Sequence, residues 1–196
     1  MKKLLKISAL IAAMALSCAF FGCSNGNSSV DNNSFDDCTA TATEVTLSDG
    51  NWTLKITQSE DGMSSETNIK ATASNRSYTF KSGSGTMVVD LSKGMTEEEL
   101  TEFNALSTDD EKKQAIIKMM ECPEDATITF NGNIVTIKAS YSTKEALQQL
   151  QSEFNLSSLL SSLPADAIIK TNSDKTKYTI TVSKEGSTMV FYISKD

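Results

Sequence analysis

The feature that most constrains the fold of this chain is an alternation of apolar and polar residues that begins at Asn51. It recurs over residues 51–57, 68–73 and 78–81, where apolar residues alternate with Thr, Lys or Asn. A period of two places alternate side chains on opposite faces of a strand, so each stretch predicts a strand with one buried and one wet face. The connections are short, which favours antiparallel pairing. The sequence therefore predicts a mainly β domain of the α+β kind, an antiparallel meander sheet or barrel of about eight or nine strands.

Two helical insertions interrupt the predicted strands, over residues 96–121 and 142–163. The first begins with Thr96 and Glu99, whose spacing is typical of a capping box at a helix start. The dipeptide Asn131-Gly132 predicts a tight hairpin turn, because both residues tolerate positive φ angles. The stretch Gly83-Ser84-Gly85 predicts another turn between two strands.

The sequence contains no histidine. This removes the commonest general base near neutral pH, the nucleophile pairs that use histidine and the usual zinc ligand. The acidic runs at 97–99 and 109–111 fall at predicted helix starts, where negative charge favours the helix dipole. We therefore predict no enzyme activity, no catalytic residues, no metal site and no cofactor.

The net charge of the chain is -7, and its distribution makes the body more acidic than that value suggests. The first 22 residues hold three of the 18 basic residues and none of the 25 acidic ones, so the remainder carries a net charge of -10. Such a domain repels phosphate backbones and anionic headgroups. We expect no nucleic-acid partner and no electrostatic docking to membranes.

The N-terminal segment has the layout of a secretory signal peptide over residues 1–22. Lys2, Lys3 and Lys6 precede an apolar stretch of about 15 residues, shorter than the roughly 20 that span a bilayer. Gly22-Cys23 then resembles the lipobox of bacterial lipoproteins, with Phe20 where that pattern usually has Leu. The resemblance implies cleavage before Cys23, a lipid on its sulfur, and a place in the cell envelope.

Alternatives to this anchor remain open. Ser17-Cys18 also fits the small-residue-then-cysteine pattern, although cleavage there would leave Ala19, Phe20 and Phe21 exposed at the new N-terminus. An unlipidated signal or an uncleaved anchor is a further alternative. We expect the outer membrane or the cell surface, in preference to the inner membrane, as the anchored location.

Two cysteines remain once Cys18 and Cys23 are assigned to the signal and the anchor. Cys38 and Cys122 form an even pair in a chain predicted to be exported, where disulfides are common. A bridge between them would stabilise the fold by about 4–5 kcal/mol in the chain-entropy model. Two unpaired thiols are the alternative.

The boundary between the tether and the folded domain is predicted from the amino-acid composition. Residues 23–48 are rich in Ser, Asn, Thr, Asp and Gly, which predicts a flexible tether after the lipidated cysteine. Residues 49–196 are then a single β-rich domain that contains both helical insertions.

A second resemblance concerns the start of the first strand. Gly50-Asn51-Trp52 is similar to the Gly-x-Trp signature of lipocalins, and it implies a barrel of about eight strands that can hold a small apolar ligand. In such a barrel the inward side chains would form the ligand-binding interior. The predicted set is Trp52, Ile56, Ile69, Tyr78, Phe80, Ile137, Tyr178, Ile180 and Phe191.

These features predict a membrane-anchored envelope lipoprotein that binds a small hydrophobic ligand without catalysis. The alternative is a structural lipoprotein, or one that binds another envelope protein, with a solid core. An apolar pocket of at least about 300 Å³ would favour the first function. A solid core with an exposed apolar patch would favour the second.

Overall fold

The computed structural model describes residues 35–120, 125–153, 155–184 and 187–196. The predicted signal peptide, the lipidation site Cys23 and its alternative Cys18 lie outside the described residues. Cys122, one half of the predicted disulfide, also lies outside them.

The described chain is dominated by one antiparallel sheet of nine strands in the order β1-β7-β8-β9-β2-β3-β4-β6-β5. The strands are β1 (Ala40–Thr41), β2 (Gly50–Glu60), β3 (Met63–Ser74), β4 (Ser77–Asp90), β5 (Thr127–Asn131), β6 (Ile134–Tyr141), β7 (Ile168–Thr171), β8 (Lys177–Lys184) and β9 (Ser187–Lys195). The helices are α1 (Leu91–Gly94), α2 (Glu97–Asn104), α3 (Asp109–Met120), α4 (Lys144–Glu153) and α5 (Leu156–Ser161). The mainly β architecture with two helical insertions is therefore confirmed.

The sheet is open. Its edge strands are β1 and β5, and within the described residues no pairing joins them. Of the two architectures that the sequence allowed, a meander sheet and a barrel, the structure has the sheet. The central order β9-β2-β3-β4 includes two hairpins of consecutive strands, β2-β3 and β3-β4, as a meander requires.

One face of the sheet, which we call the inner face, carries the apolar residues that the alternation predicted. The pairing register places Trp52, Ile69 and Ile137 on it. One hydrophobic cluster on this face includes Leu150 of α4 and Leu156 of α5, and a second includes Phe103 of α2 and Ile116 of α3. All the described helical segments that contribute buried residues therefore pack against the same face.

The glycines at 83 and 85 lie inside β4 and do not form the predicted turn. A bulge between Lys70 and Ala71 shifts the pairing of β3 with β4, so that Gly83 falls on the inner face. A Cβ atom at position 83 would lie 3.0 Å from a methyl carbon of Leu150. The turn prediction is wrong because a glycine in a strand can also mark the close approach of another element.

The N-terminal boundary of the domain lies earlier than predicted. The ring of Phe35 is 5.2 Å from that of Tyr192, and the Asp37 carboxylate is 3.2 Å from Lys177 Nζ. β1 pairs with β7, and Val45 and Leu47 are buried in the first hydrophobic cluster. Residues 35–48 therefore belong to the folded domain, which corrects the predicted tether over that part of its length.

Cys38 is buried near the β1 edge of the sheet and forms no disulfide with another of the described residues. Burial raises the pKa of this thiol, and the neighbouring Asp37 carboxylate raises it further, so the reactive thiolate is disfavoured. Met120, the last described residue before Cys122, packs in the second cluster with residues of β5 and β6 at the opposite edge. A Cys38–Cys122 bridge stays a prediction.

Candidate functional site

The candidate site is a cleft of about 800 Å³ at the edge of the first hydrophobic cluster. It lies between the segment before β2 and the segment around α5, and Ile169 and Tyr78 of the sheet contribute to its lining. The full lining consists of Ala42, Thr43, Glu44, Val45, Thr46, Leu47, Arg76, Tyr78, Ser157, Leu160, Ser161, Leu163, Pro164, Ala165, Ala167 and Ile169. A volume of this size falls within the range that small-molecule sites usually occupy.

One wall of the cleft is residues 42–47, which we call the 42–47 wall. Two aromatic side chains of the core fix this segment and its end: Trp52 Nε1 donates to the Ser48 carbonyl at 2.8 Å, and the Tyr178 hydroxyl donates to the Thr46 carbonyl at 3.0 Å. The Ala42 N–H donates to the Ile169 carbonyl at 3.0 Å. The wall is therefore a defined part of the fold, because hydrogen bonds at both ends join it to the sheet.

The opposite wall is α5 and the residues that follow it. Asn155 caps the helix, since its side-chain oxygen accepts from the Ser158 N–H at 3.0 Å. Leu156 anchors α5 in the core, whereas Leu160 lines the cleft. The chain then turns through Pro164, whose carbonyl accepts from the Ala167 N–H at 3.0 Å. This wall offers apolar carbons together with the hydroxyls of the serines that α5 places there.

Two groups of opposite charge line the cleft. Arg76 occupies the turn between β3 and β4, and Glu44 lies on the 42–47 wall. Tyr78 lies between the turn and the core, and burial raises the pKa of its phenol while the positive charge of Arg76 lowers it. The cleft thus has a mixed lining of apolar carbons and polar groups of both charges, which suits binding and orientation of a small molecule.

The structure gathers the nine predicted ligand-binding residues on one face but packs most of them solidly. Trp52, Ile56, Ile69, Phe80, Tyr178, Ile180 and Phe191 are buried in the first cluster, and Ile137 is buried in the second. Tyr78 is partly buried and is the one member of the set that lines the cleft. The other eight side chains of the set are buried because they pack against other side chains of the core.

Sequence reasoning missed most of the residues that line the cleft. The sequence places residues 42–47 in the predicted tether and residues 157–163 in the second helical insertion, with no ligand-binding role for either segment. One signal was available: Val45 and Leu47 are apolar residues spaced by two in a polar stretch, a pattern that indicates burial on one side. Arg76 gave a signal too, because it is the single arginine of the sequence.

No group of three or more Cys, Asp and Glu side chains in the described ranges is arranged to hold a metal ion. Within those ranges, moreover, no helix is both long enough and apolar enough to cross a membrane.

Comparisons with models of known protein families, with curated proteins and with solved structures gave no match to this chain.

Proposed function

We propose that this protein is an envelope lipoprotein, anchored through Cys23, whose β domain binds a small hydrophobic molecule without catalysing a reaction. The observation that carries the binding function is the 800 Å³ cleft between the 42–47 wall and α5. The lipocalin resemblance implied a ligand enclosed by a barrel. The open sheet favours a different place for it, at the side of the inner face where two non-strand segments form the walls.

Apolar surface inside the cleft supplies the driving force. Tyr78, Leu160 and Leu163 line the cleft and are only partly buried, and covering apolar surface releases about 25 cal/mol per Å² removed from water. Polar groups such as Thr43 and Ser157 lie among them and can orient a ligand by hydrogen bonds.

We expect Ser157→Trp to weaken binding by filling the cleft. Ser157 is exposed on α5 and lines the cleft, so a large side chain there occupies ligand volume without entering the core. The test is displacement of a fluorescent hydrophobic probe, 1-anilinonaphthalene-8-sulfonate, by long-chain alcohols and acids. The expected change is at least about tenfold in the apparent dissociation constant, or about 1.4 kcal/mol.

Gln114→Trp is the matched control, because Gln114 is exposed on α3 and does not line the cleft. Unchanged binding in both variants, with both proteins folded by circular dichroism, would contradict the assignment of the ligand to this cleft.

The anchor has its own prediction. Cys23→Ser removes the sulfur that would carry the lipid, so we expect an unlipidated precursor that keeps residues 1–22 and takes up no labelled fatty acid. The measurement is metabolic labelling with an alkyne fatty acid, together with the intact mass of the chain. Cys18→Ser is the matched control and should be labelled normally; the reverse pattern would move the anchor to Cys18.

The alternative function, binding of another envelope protein or a structural role, has less support in the described residues. Among them Ile168 is the only large hydrophobic side chain recorded as exposed, at 57%. A single exposed residue does not make a patch of the kind that marks protein interfaces.

A further inference from the structure

Arg76 is the only arginine in a chain whose net charge is -7. It lines the cleft, and within the described residues no ion pair or hydrogen bond of its side chain is recorded. The described carboxylates of the β3 and β4 region are engaged elsewhere: Glu66 pairs with Lys55 at 2.8 Å, and Asp61 pairs with Lys93 at 2.6 Å. The Arg76 guanidinium is therefore available to a ligand.

The turn that carries Arg76 holds it in a defined place. Asn75 and Arg76 are the two loop residues between Ser74 and Ser77, with φ angles of 49° and 61°. Positive φ at both positions is typical of a type I′ hairpin turn. The Asn75 N–H donates to Asp49 Oδ1 at 2.9 Å, which ties the turn to the chain just beyond the 42–47 wall. The backbone at Arg76 is thus fixed relative to the cleft.

A guanidinium in a cleft with a partly apolar lining matches a particular ligand chemistry. Its planar array of donors binds carboxylate and phosphate oxygens, often through two parallel hydrogen bonds. Leu160 and Leu163 line the same cleft, are partly buried, and can contact a hydrocarbon chain. We propose that the ligand of the cleft is a single-chain amphiphile whose anionic head group, a carboxylate or a phosphate, is bound by Arg76. This inference rests on the proposed binding function.

Glu44 is the acidic residue of the cleft lining. Among the described residues it forms no ion pair with Arg76. An anionic head group is attracted by Arg76 and repelled by Glu44, so the two residues make opposite predictions. Removing the positive charge should weaken the complex, and removing the negative charge should strengthen it.

The experiment uses the full-length lipidated protein in phosphatidylcholine vesicles, where no detergent competes for the cleft. Two photoreactive probes are compared, a C16 fatty acid and the C16 alcohol, each with a diazirine near the end of the chain. Labelled peptides are identified by mass spectrometry. We expect the acid to label the 42–47 wall and residues 157–169, and to do so more strongly than the alcohol.

The variants test the contact with the head group separately from the contacts with the hydrocarbon chain. We expect Arg76→Gln to lower acid labelling about three- to tenfold, because the charge-assisted contact with the head group is lost. Alcohol labelling should stay unchanged, because the apolar contacts with the hydrocarbon chain are kept. Arg76→Lys should keep part of the acid labelling, and Glu44→Gln should increase it. Lys70→Gln is the matched control: it removes one positive charge from an exposed position on the opposite face of β3 and should change nothing.

The outcomes separate this inference from the proposed function. Equal labelling by acid and alcohol, unaffected by Arg76→Gln, overturns the head-group assignment and leaves a hydrophobic ligand site. Absence of cleft labelling by either probe overturns both. Reduced acid labelling in Glu44→Gln contradicts the expected repulsion between Glu44 and the head group, and with it the placement of that head group between Glu44 and Arg76. Competition by unlabelled lysophosphatidate stronger than competition by palmitate identifies a lipid phosphate as the source, and the reverse identifies a free carboxylate.

Discussion

Trp52→Ala is expected to lower the free energy of unfolding by about 3–5 kcal/mol, the range for removal of a large aromatic side chain from a core. Trp52 is 0% exposed, its ring centroid lies 6.5 Å from that of Tyr178, and Lys195 Nζ lies 5.9 Å from the ring centroid. The substitution leaves a cavity and also removes the hydrogen bond to the Ser48 carbonyl. The measurement is urea denaturation followed by circular dichroism. Tryptophan fluorescence cannot be used, because the substitution removes the only tryptophan of the chain.

The matched control is Trp52→Phe, which keeps much of the apolar volume and loses the indole N–H. We expect it to cost less than Trp52→Ala, and the difference between the two variants reports the packing contribution. A loss below about 1 kcal/mol in Trp52→Ala would show that Trp52 borders open space, as the lipocalin resemblance implied, and would contradict the solid core.

Gly83→Val is expected to destabilise the domain by about 1–3 kcal/mol through overpacking. Position 83 faces Leu150 of α4, and a Cβ there lies 3.0 Å from Leu150 Cδ2 and 3.6 Å from Tyr141 Cβ. The two further methyl groups of valine extend into the same contact. The higher strand propensity of valine offsets at most about 1 kcal/mol of this cost. The midpoint of urea denaturation measures the change.

A double-mutant cycle shows whether the clash with Leu150 is the cause. In the Gly83→Val background, Leu150→Ala should cost much less than it does alone, because the valine occupies the space that the leucine vacates. Gly94→Val is the matched control, since a Cβ at Gly94 meets nothing within 4 Å. Additive effects of the two substitutions would contradict the proposed contact between β4 and α4.

Helix starts were predictable because the signals that specify them are local. The capping box at Thr96 and Glu99 is present: the Glu99 N–H donates to Thr96 Oγ1, and Glu99 Oε2 accepts from the Thr96 N–H at 2.9 Å. The predicted hairpin between β5 and β6 also forms, but its two loop residues are Gly132, at a φ of 59°, and Asn133, because Asn131 still pairs with Ile134. The residues that carry the capping signal make the contact themselves, whereas the turn lies one residue later than predicted.

The residues that line the cleft were less predictable from the sequence than the strands and helices. Arg76 lines the cleft because a hairpin turn, joined to Asp49 by a hydrogen bond, holds its backbone there, and Leu160 of α5, more than 80 residues later in the chain, lines the same cleft. No spacing in the sequence reports that these residues meet. Of the nine residues chosen for a barrel interior, Tyr78 alone lines the cleft, because apolar alternation selects core positions whether or not a cavity adjoins them.

By itself the sequence determined most of the strands, the buried face of each of these strands, the capped helix start at Thr96, and the absence of histidine chemistry. These properties depend on neighbours a few residues apart. Only the tertiary structure decided that the sheet is open, that residues 35–48 belong to the domain, that Leu150 of α4 packs close to Gly83, and that Arg76 lines a cleft beside the core. Those properties depend on the order and register of strands distant in the chain, and the period-two pattern is the same for a strand beside any partner.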